Sequence, residues 1–213
     1  MPTANDTIRE KASLVRGVLL SSCEKVGGDF EPWNQYLMVK GKYSSDEFVG
    51  RGLCHGLSII FLKCAKNGRV FSNQIDQDVM EVGDRYARTT EQTEIQNAHY
   101  SQINDDTSFM EQNYGFTHVE TKKFGDLTPL FSHTRCGNYV GESNFFHLVS
   151  TGGHCMAVAS NAGTTFFEPN AGIVTCDGGK MSDLFSEYFG HPLIKEVYGH
   201  DSKVQLAVTR FTG

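Results

Sequence analysis

Two stretches of the sequence, about a hundred residues apart, hold side chains able to move a proton and attack a carbonyl carbon. The first is "GRGLCHGLSIIFLKCAKNG" (50–68), with Cys54 between Gly52 and Gly56; the second is "GGHCMAVASNAGTTFFEPNAG" (152–172), with His154, Glu168 and Asn170. A thiol reacts as its thiolate, and the start of a helix favours that form through unpaired N–H groups and the positive end of the macrodipole. An imidazole beside it would take the proton, and a carboxylate or amide would hold the imidazole in orientation. That is the constellation for acyl transfer.

The elements around these residues must bring them together. From Leu53, apolar residues at 57, 60, 61 and 64 share one helical face, and Asn67-Gly68 is a C-terminal stop, so Cys54 falls in the first turn of a buried helix. Gly50 to Gly52 form the loop before it. Backbone N–H groups at this turn could also help hold an oxyanion. Cys64, further along the apolar face, reads as core.

The second stretch alternates as two strands of a hairpin. A three-residue loop, Asn161 to Gly163, pairs Ser160 with Thr164, Met156 with Glu168 and His154 with Asn170, which puts His154, Met156, Glu168 and Asn170 on one face. A two-residue loop would turn Glu168 and Asn170 to the other face. Glu168 and Asn170 could also do no more than shape the turn at Pro169. Of the other histidines, His55 points about 100° away from Cys54 round the helix. His99 and His118 sit in segments without accompanying chemistry, and His147 lies on a strand that could line the cleft. There is no GxSxG elbow for serine chemistry.

The rest of the chain supplies the frame. Residues 6–23 read as an amphipathic helix through Ile8, Ala12, Val15 and Leu19, and "FEPWNQYLMVKG" as a short helix or an irregular segment. Residues 73–104 suggest one long or two shorter surface helices, and "DDTSFMEQNYG" another helical turn or two. After Gly115 strand formers dominate in "FTHVET", "FFHLVS", "HCMAVAS", "TTFFE" and "KVQLAVTRF", interrupted by a helix "SDLFSEYFG" capped by Ser182. The layout is α+β: one catalytic domain over 1–213, with a helical half at about 1–115 and a β-rich half at about 116–213.

Composition narrows the function. With 213 residues, 39% hydrophobic and 21% charged, the chain can build one sizeable core. A net charge of −6 without a basic run disfavours nucleic acid as a partner, and no apolar stretch is long enough for a transmembrane segment. The charged N-terminal stretch is not a signal peptide as it stands. Six cysteines without a CxxC pair read as reduced thiols. A zinc site from Cys136, Cys155 and Cys176 lacks finger-like spacing, and neither a metal nor a cofactor is expected.

Taken together, the two stretches resemble the catalytic segments of the YopT/AvrPphB-like cysteine peptidases, papain-fold enzymes that bacterial pathogens deliver into host cells. The resemblance covers roughly forty residues: a glycine-flanked cysteine opening a central helix, a Leu-Ser step after it, and a histidine strand followed by Phe-Phe-acid-Pro-Asn-x-Gly. It implies a papain-like fold, Cys54 as nucleophile, His154 as base and the acid of the last segment as its orienting partner. That acid is usually Asp in the family and is Glu168 here; Asn170, two residues on, could take the role instead. The oxyanion-hole side chain of papain-like enzymes has only Asn34 and Gln35 as candidates. The resemblance also implies a protein substrate in the host cytoplasm. On the same fold, glutamine deamidation or transglutamination is the alternative chemistry, and a non-catalytic binding module is the alternative class.

Overall fold

The computed structural model describes residues 4–35, 54–71, 94, 98, 106–125, 129–151, 153–161, 163–198 and 205–213. The expected surface helices over 73–104 fall almost wholly outside them, as do the glycine loop before Cys54 and the segment after Gln35.

Among the described residues, six helices accompany a seven-stranded sheet. In chain order these are α1 (Ala4–Val26), β1 (Asp29–Pro32), α2 (Cys54–Lys66), α3 (Asp106–Tyr114), β2 (Thr117–Phe124) and α4 (Pro129–Val140), then β3 (Phe146–Ser150), β4 (Cys155–Ala159), β5 (Thr164–Glu168) and β6 (Gly172–Cys176), then α5 (Met181–Gly190), α6 (Pro192–Tyr198) and β7 (Leu206–Thr212). The strands run β1-β6-β5-β4-β3-β7-β2 across the sheet, and every pairing is antiparallel.

Period-two alternation splits the strands between two cores. Phe146, Leu148, Ala157, Ala159, Phe167, Ile173 and Phe211 face α2 and pack on Leu57, Ile60 and Phe61. Val149, Met156, Val158, Phe166, Val174 and Val208 face the other way, onto α1, α4 and α5 through Leu19, Cys136, Leu184, Phe185 and Phe189. The sheet is thus covered on both faces, which explains why its central strands are buried almost without interruption. On the α2 side, Phe61 stacks on Phe167 with centroids 5.0 Å apart, and Trp33 and Phe71 complete an aromatic group around it.

Local signals explain the element ends that position the site. α2 begins at Cys54 and stops as Asn67-Gly68 suggests: Gly68 is left-handed at φ 64°, and the Arg69 N–H reaches back to the Cys64 carbonyl. Between β4 and β5 the register Ala157–Phe167, Val158–Phe166, Ala159–Thr165 is that of the three-residue loop, with Gly163 at φ 98°.

Five elements differ from the expectation. The segment from Asp29 forms β1, an edge strand on β6, so the N-terminal half contributes to the sheet. β6, α4 and α6 were not foreseen: β6 follows the Pro-Asn turn too closely to read as a separate strand, and Ser, Thr, Gly and Asn dilute the helical pattern of α4. Ser182 does not cap α5. That helix starts at Met181 with no side-chain cap, and Asp177 caps the preceding 3-10 turn by accepting from the Gly179 N–H at 3.3 Å.

Candidate active site

Cys54 stands at the first residue of α2, where helical N–H groups lack intrahelical partners. Two contacts dock this end of the helix on the start of β4. The Cys155 backbone N–H donates to the Cys54 sulfur, and the Ser58 hydroxyl donates to the Cys155 carbonyl at 3.2 Å. His154 immediately precedes β4 and makes a side-chain hydrogen bond with Cys54. Its Nε2 lies 2.7 Å from Glu168 Oε1, so Nδ1 is the nitrogen left for the sulfur. The thiol and the imidazole are buried but not sealed, at 5% and 8% exposure.

The carboxylate of Glu168 is fully buried at the end of β5 and is hydrogen-bonded on both oxygens. Oε1 accepts from His154, from the Asn170 backbone N–H at 2.9 Å and, at 3.4 Å, from the Tyr198 hydroxyl. Oε2 accepts from the Tyr188 hydroxyl at 3.0 Å. A carboxylate buried this deeply is costly unless its oxygens are paired, and here both are.

Electrostatics follow from this arrangement. Burial pushes the Cys54 thiol up, but the charge and hydrogen bond of His154 and the Cys155 N–H outweigh it and bring the thiol below its ordinary range, against opposition from Glu168. Burial disfavours imidazolium at His154, yet Glu168 and the Cys54 thiolate raise the ring well above its usual value. Both shifts run in the direction that favours a thiolate beside an imidazolium. Cys64 shows the contrast: burial raises it to about 11.

The structure brings together Cys54, His154, Glu168 and Asn170, but Asn170 meets the others through its backbone. Its side chain accepts from Gln35 Nε2 and donates to the Tyr198 hydroxyl at 2.7 Å, so of the two orienting candidates it is Glu168 that hydrogen-bonds to the imidazole. Gln35, one of the two oxyanion candidates, is buried at this rim, with its N–H on the Pro169 carbonyl at 2.8 Å. His55 turns away from the sulfur towards Asp106, 3.8 Å distant. His147 lies on the opposite face of the sheet from α2, where it accepts from Arg210 Nε at 3.0 Å, and so does not line the cleft.

Sequence reasoning missed the tyrosines. Tyr188 reads as one more apolar-face residue of α5, although a buried phenol requires a partner and could have prompted a search for one. Tyr198 carries no signal in its own segment. Among the described residues, no cluster of three or more His, Cys, Asp or Glu side chains could hold a metal ion.

Comparison with known proteins agrees with the architecture. No family model matches the chain, and no curated protein matches it by sequence. Solved structures do match. The Pseudomonas avirulence protein AvrPphB aligns with a TM-score of 0.56 at 19% identity, over 76% of this chain and 92% of its own. PatoxP, a cysteine protease-like domain of the Photorhabdus asymbiotica toxin PaTox, aligns with a TM-score of 0.60 at 12% identity, over 98% of this chain and 61% of its own. The chain thus has the α+β papain-like fold that these two bacterial proteins share.

Proposed function

We propose that the chain is a cysteine peptidase that acts on a host-cell protein, with Cys54 as nucleophile, His154 as general base and then acid, and Glu168 as the group that orients and charges the imidazole. The observation that carries this reading is the continuous hydrogen-bonded line from thiol to imidazole to buried carboxylate. The fold shared with an avirulence protein and with a cysteine protease-like toxin domain supports it.

In the proposed reaction the Cys54 thiolate adds to a peptide carbonyl carbon, and the carbonyl π electrons move to oxygen. N–H groups of the first turn of α2 would stabilise that oxyanion. Imidazolium His154 then passes its proton to the departing amine as the C–N bond breaks, leaving a thioester on Cys54. Water, deprotonated by His154, attacks the thioester, and the acid product leaves as the thiolate is restored.

The test is wild type against Cys54→Ala on host-cell lysate, read by enrichment of new protein N-termini and by intact mass of the proteins affected. New N-termini that depend on Cys54 support the peptidase. A Cys54-dependent gain of the mass of an amide-to-acid conversion, without cleavage, would replace it by a glutamine deamidase. Lysates indistinguishable between wild type and Cys54→Ala would overturn catalysis altogether.

A further inference from the structure

We infer that Tyr198 is a positioning residue that sets the plane of the His154 ring and covers its bond to Glu168; the inference rests on the peptidase reading above. The two rings stack face to face, with centroids 4.6 Å apart and planes only 3° from parallel. Nothing else among the described aromatic contacts is so nearly parallel.

The consequence follows from the freedom an imidazole retains. A hydrogen bond from Nε2 to Glu168 fixes one corner of the ring, but the ring can still tilt about that corner, which swings Nδ1 away from the sulfur. A flat surface against the imidazole face removes the tilt. It also keeps water from competing for the His154–Glu168 bond, and a π face attracts the imidazolium form over the neutral one.

Tyr198 can serve because it is itself fixed. Its hydroxyl accepts from Asn170 Nδ2 at 2.7 Å and donates to Glu168 Oε1, the same oxygen that His154 uses. Asn170 is held in turn by Gln35. The phenol is thereby tied to the edge of the carboxylate while its face lies on the ring the carboxylate orients. Tyr188 differs: its hydroxyl reaches the other oxygen, Oε2. The unexpected asparagine contact thus gains a role, since Asn170 acts on the imidazole by way of Tyr198.

The experiment measures the alkylation rate of Cys54 by iodoacetamide against pH, resolved by peptide mass spectrometry, in wild type, Tyr198→Phe, Tyr198→Leu and Tyr198→Ala. Leu retains volume and keeps the test valid where Ala fails to fold. In wild type the inflection lies below that of an ordinary thiol. In the Leu and Ala variants it moves up by about one unit, so the rate at acidic pH falls about tenfold, while Phe, which keeps the ring face and loses the tether, falls between wild type and Leu. Leu and Ala profiles that coincide with wild type overturn the inference and leave the peptidase reading standing. So does a Phe profile displaced as far as that of Leu, which would assign the effect to the hydroxyl. A wild-type inflection no lower than that of an ordinary thiol removes the peptidase reading and this inference with it.

Discussion

The Asn170 backbone N–H donates to Glu168 Oε1 over 2.9 Å, the same oxygen that faces His154 Nε2 at 2.7 Å. The turn after β5 therefore curls back onto the carboxylate that ends the strand. The extra methylene of glutamate, relative to the aspartate of the family it resembles, is accommodated by this curl and by Tyr188 beyond it.

Glu168→Asp tests that fit. Shortening the side chain by about 1.5 Å leaves the carboxylate able to keep His154 or Tyr188 but not both. Turnover should fall about ten- to a hundredfold, and where Tyr188 is the bond given up, its buried hydroxyl keeps only Tyr198 and the loss should cost roughly 1 kcal/mol of stability. Glu168→Gln keeps the length and loses the charge, and should reduce turnover more than Asp does. Steady-state kinetics and urea midpoints on both variants check this; wild-type kinetics in Glu168→Gln would contradict the electrostatic role.

The His154 imidazolium offers a direct titration. Its folded value is raised to about 10 from an ordinary 6.5, so the stability it contributes is complete below 6.5 and is lost as pH rises through about 10. Cys54→Ala removes the thiolate and its hydrogen bond while Glu168 remains, so the ring should titrate lower than in wild type and still above an unperturbed histidine. Nitrogen-edited NMR of the imidazole reads both values; a ring already neutral near pH 7 in wild type contradicts the ion pair.

His147 behaves in the opposite sense. Burial, then the neighbouring Arg210 charge, depress it from 6.5 to about 3. Its contribution is present above 6.5 and lost as pH falls towards about 3, because the unfolded chain takes up a proton that the folded one refuses. His147→Gln preserves an acceptor for Arg210 Nε and removes the titration. The stability of the variant should decline less steeply over that interval, by up to about 1.4 kcal/mol per pH unit for one group, as read from urea midpoints between pH 6.5 and 4.

Helix α4 meets α5 at Gly137, where a methyl would sit 2.5 Å from the Met181 carbonyl oxygen and from the Ser182 Cα. Backbone on the far side cannot swing away as a side chain can. Gly137→Ala should therefore destabilise by about 1–3 kcal/mol despite the better helix propensity of alanine, and its thermal midpoint should drop accordingly. An unchanged midpoint would mean that the two helices part at little expense.

The hairpin that follows the histidine and carries the acid was legible because alternation, a glycine-bearing loop and strand-forming side chains all agreed at β4 and β5. The thiol was placed by helical periodicity from Leu57 to Cys64 and a clear stop at Gly68. What could not be read were relations between segments remote in sequence. Tyr198 joins His154 from more than forty positions on, Gln35 joins Asn170 from 135 positions away, and neither has a local pattern. β1 escaped for the same reason: four residues of mixed polarity become a strand only because β6 offers them an edge.

Cys54 hangs from the layer on one side of the sheet, while the groups that hold the acid, Tyr188 and Tyr198, belong to helices on the opposite side. The chemistry thus straddles a wall and depends on both coverings keeping station. Loosening α5 and α6 would disarm the sulfur without moving it, because the acid they steady is gripped from beyond the wall on which the thiol hangs.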